Sequence, residues 1–191
     1  MSIFNCLQCL QPTPSSIELL FANNLLFIQP AYLVTCSPTV TAHKLSQEHL
    51  LTTLQPKDLG LLSKFYVQLG SSDVGSVVVA ANERINRYTV DHYCPLCYVR
   101  VSSLVAFSGV TPTGTYTQNG HMFFLFDYKN RTHDRPIILA TSPGETIEVN
   151  LANTQSIVVA PENILAMDSI PSLRKAPKSK HQVVSGPSKP V

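Results

Sequence analysis

Two pairs of cysteines are spaced in a way that suits metal binding. Cys94 and Cys97 lie in the stretch HYCPLCY, and Cys6 and Cys9 lie in NCLQCL near the N-terminus. Two cysteines separated by two residues can share one metal ion on a tight turn, and four thiolates complete a tetrahedral zinc site. The proline between Cys94 and Cys97 favours such a turn. These four residues are therefore candidate zinc ligands, and zinc is the one cofactor that the sequence suggests.

The N-terminal pair is the weaker half of this candidate site, because CLQC contains no turn-forming residue. His92 or Cys36 could replace one of its ligands. A second interpretation needs no metal, since free cysteine is among the most buried residue types and packs as a small apolar side chain. A third is acylation of Cys6 and Cys9, which lie beside apolar residues. The long separation of the two pairs along the chain favours buried thiols.

The motif CPLC resembles the active-site motif of glutaredoxins and thioredoxins, and GVTPTG resembles the loop before their cis-proline. This short resemblance would imply a redox dithiol. In those families the first cysteine begins a helix whose N-terminus lowers the pKa of the thiol. Here the residues after Cys97 alternate as in a strand, and Pro112 follows too soon for the intervening helix and strand. The context therefore argues against a redox fold.

A cysteine hydrolase needs a nucleophile, a histidine that removes its proton and a carboxylate that orients the histidine. The stretch GHMFFLFD has His121 and Asp127 at its two ends, in loose similarity to the histidine strand of papain-like isopeptidases. Cys36, Cys6 or Cys9 could supply the nucleophile. A cysteine-dependent hydrolase is therefore the alternative functional hypothesis.

The composition indicates that a partner covers part of the surface of this protein. The chain has 191 residues, of which 44% are hydrophobic and 14% charged, against about 25% charged in ordinary globular proteins. This shortage of charge indicates a protein partner. No apolar run is long enough to span a bilayer, and no secretory signal is visible. Five cysteines, an odd number, argue against a disulfide framework, so we expect an intracellular protein of the cytoplasm or nucleus.

The net charge of +2 conceals an uneven distribution. Residues 1–173 contain nine Lys and Arg against twelve Asp and Glu, whereas residues 174–191 contain five Lys and Arg and no acid. The basic charge therefore belongs to the C-terminal tail.

The tail, residues 169–191, is rich in Pro and Ser and lacks a periodic apolar pattern, which predicts disorder. We accordingly expect one folded domain over residues 1–168. The basic tail could target the protein or make weak, salt-sensitive contacts with nucleic acid. The residues concerned are Arg174, Lys175, Lys178 and Lys180.

Two helices are predicted in the first half of the chain, LSQEHLLTTL (45–54) and PKDLGLLSKFYVQLG (56–70). In the second, Pro56 suits a first turn, and apolar residues recur on one face from Leu59 to Leu69. The two helices are expected to pack as a hairpin or an angled pair.

Most of the remaining chain is predicted as short strands, which are β-branched or aromatic and bounded by turn residues. They are SVVVAA, CYVRVSSLVAF, HMFFLFDY, RPIILAT, ETIEVNL and QSIVVA, with one or two more from LLFIQPAYLVTCS. DYKNRTHDRP is expected to be the loop of a hairpin. The sequence thus predicts an α+β fold, with a two-helix insertion at about 45–70 and an antiparallel sheet or partly open barrel at about 75–165.

These observations favour a non-enzymatic interaction or regulatory protein that acts through protein–protein contacts, with zinc as an optional stabiliser. The low charge marks the partner surface, and the basic tail targets or tethers the protein. A small accessory protein of a virus fits this profile.

Overall fold

A computed structural model describes residues 6–43, 45, 56–151, 155–169, 172–175 and 182–185. Strand accounts for 56% of the chain and helix for 8%. All described strand pairs are antiparallel. The predicted α+β class with a two-helix insertion is therefore wrong, and the fold is β-rich.

The described strands, numbered in chain order, form three larger sheets and one small sheet. The first sheet has the order β1 (Cys6–Thr13), β2 (Ser16–Ala22), β7 (Gly75–Ala80) and β4 (Leu33–Cys36). The middle sheet has the order β5 (Thr41–His43), β6 (Val67–Gly70), β3 (Leu25–Ile28), β10 (Leu104–Ser108), β13 (Ile137–Ser142) and β8 (Arg84–Tyr88). The third sheet has the order β11 (Val110–Gln118), β12 (His121–Arg131), β9 (Leu96–Arg100) and β15 (Ala166–Met167). The small sheet has the order β14 (Ser156–Val159), β17 (Gln182–Ser185) and β16 (Ser172–Lys175).

Two hydrophobic cores lie on the two faces of the middle sheet. Phe27 and Ile138 pack into a core with Phe124 of the third sheet. Their chain neighbours on the opposite face of the middle sheet pack into a second core with Ile17, Leu19 and Phe21 of the first sheet. The three larger sheets are therefore stacked as layers, with the middle sheet shared.

The sequences of the central strands explain this stacking. β10 reads LVAFS and β13 reads IILATS, and every residue of both strands is buried. A strand covered on both faces gains from apolar residues at every position, whereas a strand with one wet face alternates. The alternation in β2 and β7, each buried at every second residue, matches their place in an outer layer.

One helix, α1 (Pro56–Phe65), is found in the described residues. The first predicted helix falls outside them except for Leu45. The second was expected to reach Gly70, but residues 67–70 form β6, which pairs with β3 and β5. Leu62 and Tyr66 are buried as the helical pattern requires. The end of the helix differs because pairing with two strands outweighs the helix propensity of four residues.

The predicted hairpin between HMFFLFDY and RPIILAT is wrong. β12 pairs with β11 and β9 in the third sheet, whereas β13 pairs with β10 and β8 in the middle sheet. The intervening residues cross between layers and return to Gly109, whose carbonyl accepts hydrogen bonds from the backbone N–H groups of Thr132 (2.8 Å) and His133 (3.2 Å). Gly109 has φ +73°, and a Cβ there would lie 2.8 Å from the Cβ of His133. Glycine therefore permits this crossing.

Two C-terminal segments also differ from expectation. ETIEVNL, residues 145–151, is not a strand, and Ile147 is 85% exposed. Within the tail that was expected to be disordered, β16 and β17 pair with each other, and β17 pairs with β14. The boundary of the folded domain near residue 168 stays a prediction.

Candidate interaction surface

The HYCPLCY stretch forms a turn that is organised by the preceding aspartate. The Oδ1 atom of Asp91 accepts hydrogen bonds from the backbone N–H groups of Tyr93 (2.7 Å) and Cys94 (2.8 Å). These bonds lower the pKa of Asp91 because they stabilise the carboxylate. The rings of His92 and Tyr93 lie 3.8 Å apart between centroids. The N–H of Cys94 is thus engaged by Asp91 and is not free to face a metal-bound sulfur.

Cys97 is a packing residue of the core between the middle and third sheets. It lies on β9 opposite Phe126 and is buried. Burial raises the pKa of its thiol to about 12, with a smaller effect of Cys94 and Asp168. Burial also raises the pKa of Cys94, and nearby carboxylates add to that effect. A thiol that stays protonated at neutral pH is a poor nucleophile.

The other cysteines lie in the first sheet. Cys6 and Cys9 belong to β1, opposite Ala22 and Leu19, and Cys9 packs partly against the second core. Cys36 is exposed on β4. In the described part of the chain, no group of three or more His, Cys, Asp or Glu residues is arranged to hold a metal ion. The structure thus does not bring the candidate zinc ligands together there, and the zinc site stays a prediction.

The residues of the alternative hydrolase are also separated. His121 and Asp127 lie on the same strand, β12, six residues apart, which places them about 20 Å from each other at about 3.3 Å per residue. Cys36 is in a different sheet. A histidine and its orienting carboxylate must be within hydrogen-bond distance. The Oδ1 atom of Asp127 instead accepts a hydrogen bond from the N–H of Lys129 at 2.9 Å.

The basic tail is only partly described. Arg174 and Lys175 belong to β16, whereas Lys178 and Lys180 lie outside the described residues. Contact with nucleic acid therefore stays a prediction. Among the described residues, no helix has the length and apolar character needed to cross a membrane.

Arg100 has a structural role that was not predicted from the sequence. Its guanidinium donates hydrogen bonds to the carbonyl oxygens of Pro161 and Glu162, and it lies 5.8 Å from the ring centroid of Phe123. It ties the 3-10 turn Pro161–Asn163 over the outer face of the third sheet. The available signal was a single arginine in the otherwise apolar stretch CYVRVSSLVAF.

A polar cleft of about 400 Å³ lies beside this arginine, lined by Tyr32, Glu83, Arg100, Ser102, Thr141 and Glu162. Arg100 Nη1 and Nη2 are committed to backbone carbonyls, and the two carboxylates in the lining disfavour an anion. The cleft therefore does not provide a recognisable anion site.

The register of the strands defines which residues lie on the outer face of the first sheet. Residues directly opposite each other on paired strands share a face. One such row contains Leu10, Glu18, Val78 and Thr35, and the next contains Gln8, Leu20 and Ser76. Leu10 is 51% exposed, and Glu18, Leu20 and Val78 are half-buried. We call these seven residues the outer face of the first sheet.

This outer face carries one charge. Glu18 is the single Asp, Glu, Lys or Arg in the four strands of the first sheet, and also in the first 43 residues of the chain. In an antiparallel sheet with one solvent-exposed face, each strand normally alternates buried apolar residues with exposed polar residues. Charged side chains are common on the exposed face. The strands of the first sheet thus contain one charged residue, against two in the middle sheet, which is covered on both faces, and four in the third sheet.

Comparisons with known proteins concern the fold. No family model matches the chain, and no curated protein matches it. The chain is similar to the crystal structure of protein SPYM3_0169 from Streptococcus pyogenes, a target of the Northeast Structural Genomics Consortium. The TM-score is 0.61, with 15% sequence identity over 84% of this chain and 74% of that chain. At this identity the similarity shows a shared fold and carries no information about activity.

Proposed function

We propose that this protein works by binding another protein, and that the outer face of the first sheet is its contact surface. The observation that carries the proposal is the combination of exposed or half-buried Leu10, Leu20 and Val78 with a single charge, Glu18, on one face. Depletion of charge at the centre of a patch distinguishes interface cores from ordinary protein surface.

The proposed partner surface is apolar and close to neutral. An acidic or basic partner would gain little from a face that offers it one carboxylate. Burial of apolar side chains contributes roughly 25 cal/mol per Å², so a few residues of this size supply a useful part of a binding energy. Gln8, Thr35 and Ser76 on the same face can supply the hydrogen bonds that fix orientation.

The third sheet provides a matched control for this proposal. Leu20 on β2 and Leu125 on β12 are both half-buried leucines on central strands of outer layers. Leu125 lies between the core residues Phe124 and Phe126, so its side chain is on the outer face of the third sheet. The substitutions Leu20→Lys and Leu125→Lys therefore place the same charge at two comparable positions, one on the outer face of the first sheet and one on that of the third.

The experiment compares wild type with these two variants. Proteins captured from cells by the tagged wild-type chain are identified by quantitative mass spectrometry, purified, and titrated against the chain by calorimetry. We expect a partner whose dissociation constant increases at least about ten-fold with Leu20→Lys, because a charge is buried at the interface, and changes little with Leu125→Lys. Circular dichroism confirms that both variants fold. Equal affinities for wild type and Leu20→Lys would contradict the proposal.

A further inference from the structure

Six strands form the outer edges of the three larger sheets in the described residues, namely β1, β4, β5, β8, β11 and β15. An open edge presents unpaired backbone N–H and C=O groups that can pair with another chain. Proteins block such edges with short strands, charged residues, proline or bulges. The six edge strands can therefore be compared by which of these protective features each one has.

Five of the six edge strands have a feature that disfavours pairing with another chain. β15 has two residues and β5 has three. β4 is short and has a register shift between Leu33 and Thr35. β8 contains Arg84 and Arg87. β11 contains Pro112 and has register shifts on both sides of it.

The remaining edge, β1, is different. It is eight residues long and contains no charged residue. Its register with β2 is regular from Cys6 to Leu10, and Pro12 and the register shift come only after Leu10. Its outward side chains Gln8 and Leu10 are exposed. Within the described residues, the segment Cys6–Leu10 is thus an open and regular edge with no charged residue of its own, although Arg87 of β8 lies beside Cys9.

We propose that the β1 edge pairs with the β1 edge of a second copy of this chain, antiparallel about a two-fold axis. The inference deepens the proposed function, because it concerns the same sheet and would join the outer faces of two copies into one continuous surface. In such antiparallel pairing the residue on the axis faces its own copy and the other residues face partner residues equally far from the axis, so a charged residue in the strand would place two like charges in the same short ladder. β1 has none.

The one charge of the sheet is also far enough from the axis. Glu18 lies on β2, one strand inward from β1. In the paired arrangement, β2 of one copy and β2 of the other are separated by three strand spacings, or about 14 Å. This exceeds the Debye length of about 8–10 Å at physiological salt. Repulsion between the two copies of Glu18 is therefore largely screened.

The test is the mass of the purified full-length chain in solution, measured by sedimentation velocity over a micromolar concentration series with a reducing agent present. The reductant removes any disulfide through Cys6 or Cys9. We expect a reversible dimer of twice the 21.0 kDa chain mass. A monomer at every concentration would overturn the proposal and leave the edge, if it is used, to a strand of a foreign protein.

Two charge variants locate the contact. Gln8→Lys places a charge on the β1 edge strand, and Val34→Lys places the same charge on β4, at the other side of the first sheet; both positions are exposed, and Val34 is not part of the outer face defined above. We expect Gln8→Lys to weaken the dimer by about ten-fold or more and Val34→Lys to leave it unchanged. Leu10→Lys serves as a second edge variant if Gln8→Lys fails to fold. The opposite ranking would move the interface to β4 and overturn the assignment.

The outcome is separable from the partner-binding experiment. A dimer that dissociates with Gln8→Lys while calorimetry shows no captured partner would support self-pairing and contradict the proposed function. A monomeric chain that still binds a partner through Leu20 would do the reverse.

Discussion

The first and third sheets cover opposite faces of the same middle sheet, yet their outer faces differ. The third sheet carries Arg100 and Asp127 on strands β9 and β12, and the turn Pro161–Asn163 is hydrogen-bonded over it through Arg100. The first sheet carries Glu18 alone, and Leu10 is half exposed. Both layers contribute similar apolar inner faces to their cores. Core packing explains the apolar inner faces of both layers, and we propose that binding explains the low charge of the outer face of the first sheet.

The largest expected effect on the free energy of unfolding comes from comparing a residue on the inner face of the third sheet with a residue on the outer face of the first sheet. Phe124 is fully buried between the middle and third sheets, so Phe124→Asp should lower the free energy of unfolding by at least about 4 kcal/mol or prevent folding, because an unpaired charge enters the core. Val78→Asp, on the outer face of the first sheet, should lower it by about 1 kcal/mol or less. Urea denaturation of both variants measures this. A comparable loss for Val78→Asp would mean that the folded chain itself covers this face, and the proposed contact surface would be wrong.

A smaller effect on stability tests whether Arg100 holds the turn Pro161–Asn163 over the third sheet. Arg100→Ala removes two charge-assisted hydrogen bonds to partly buried backbone carbonyls and the contact with Phe123, and should lower the free energy of unfolding by about 2–3 kcal/mol. The control is Arg84→Ala, which removes an exposed ion pair with Glu145 at 3.6 Å and should change stability by less than about 0.5 kcal/mol. Thermal denaturation compares the two. Similar values would show that Arg100 does not hold the turn in place.

The pH dependence of the unfolding free energy compares the buried thiol of Cys97, in the third sheet, with the exposed thiol of Cys36, in the first sheet. Because the pKa of Cys97 is about 12 in the folded chain and about 9 when unfolded, the unfolded state loses its proton first as the pH rises. The protonated thiol's contribution is fully present below about pH 9, decreases above it and is lost by about pH 12. At pH 11 we expect a loss of about 2–3 kcal/mol from this group.

The buried tyrosines Tyr66 and Tyr88, whose pKa values are also raised by burial, contribute in the same direction, so the test is a difference in slope. Unfolding free energies measured from pH 8 to 11 should decline less steeply in Cys97→Ala than in wild type. Cys36→Ala, at an exposed thiol, should keep the wild-type slope. An unchanged slope in Cys97→Ala would show that Cys97 is not the buried thiol described above.

Several strands could be read directly from local patterns. SVVVAA, RPIILAT and QSIVVA are strands in the structure, and β-branched runs bounded by turn residues have a local preference for extended backbone. CYVRVSSLVAF is two strands, β9 and β10, in different sheets. A local pattern identifies a strand, but it does not identify the strand with which it pairs.

The sequence by itself indicated several of the strand-forming segments, offered burial of Cys97 as one of the open interpretations, and placed the basic charge in the C-terminal tail. Tertiary structure decided the rest. Residues 67–70 read as the end of a helix, yet they form β6 because β3 and β5 supply hydrogen-bond partners on both sides. Residues 145–151 read as a strand, but no ladder partner is found for them in the described residues. The physical reason is the same in both cases: a strand is completed by residues distant in sequence, so its existence depends on the whole fold, whereas a helical turn closes its hydrogen bonds locally.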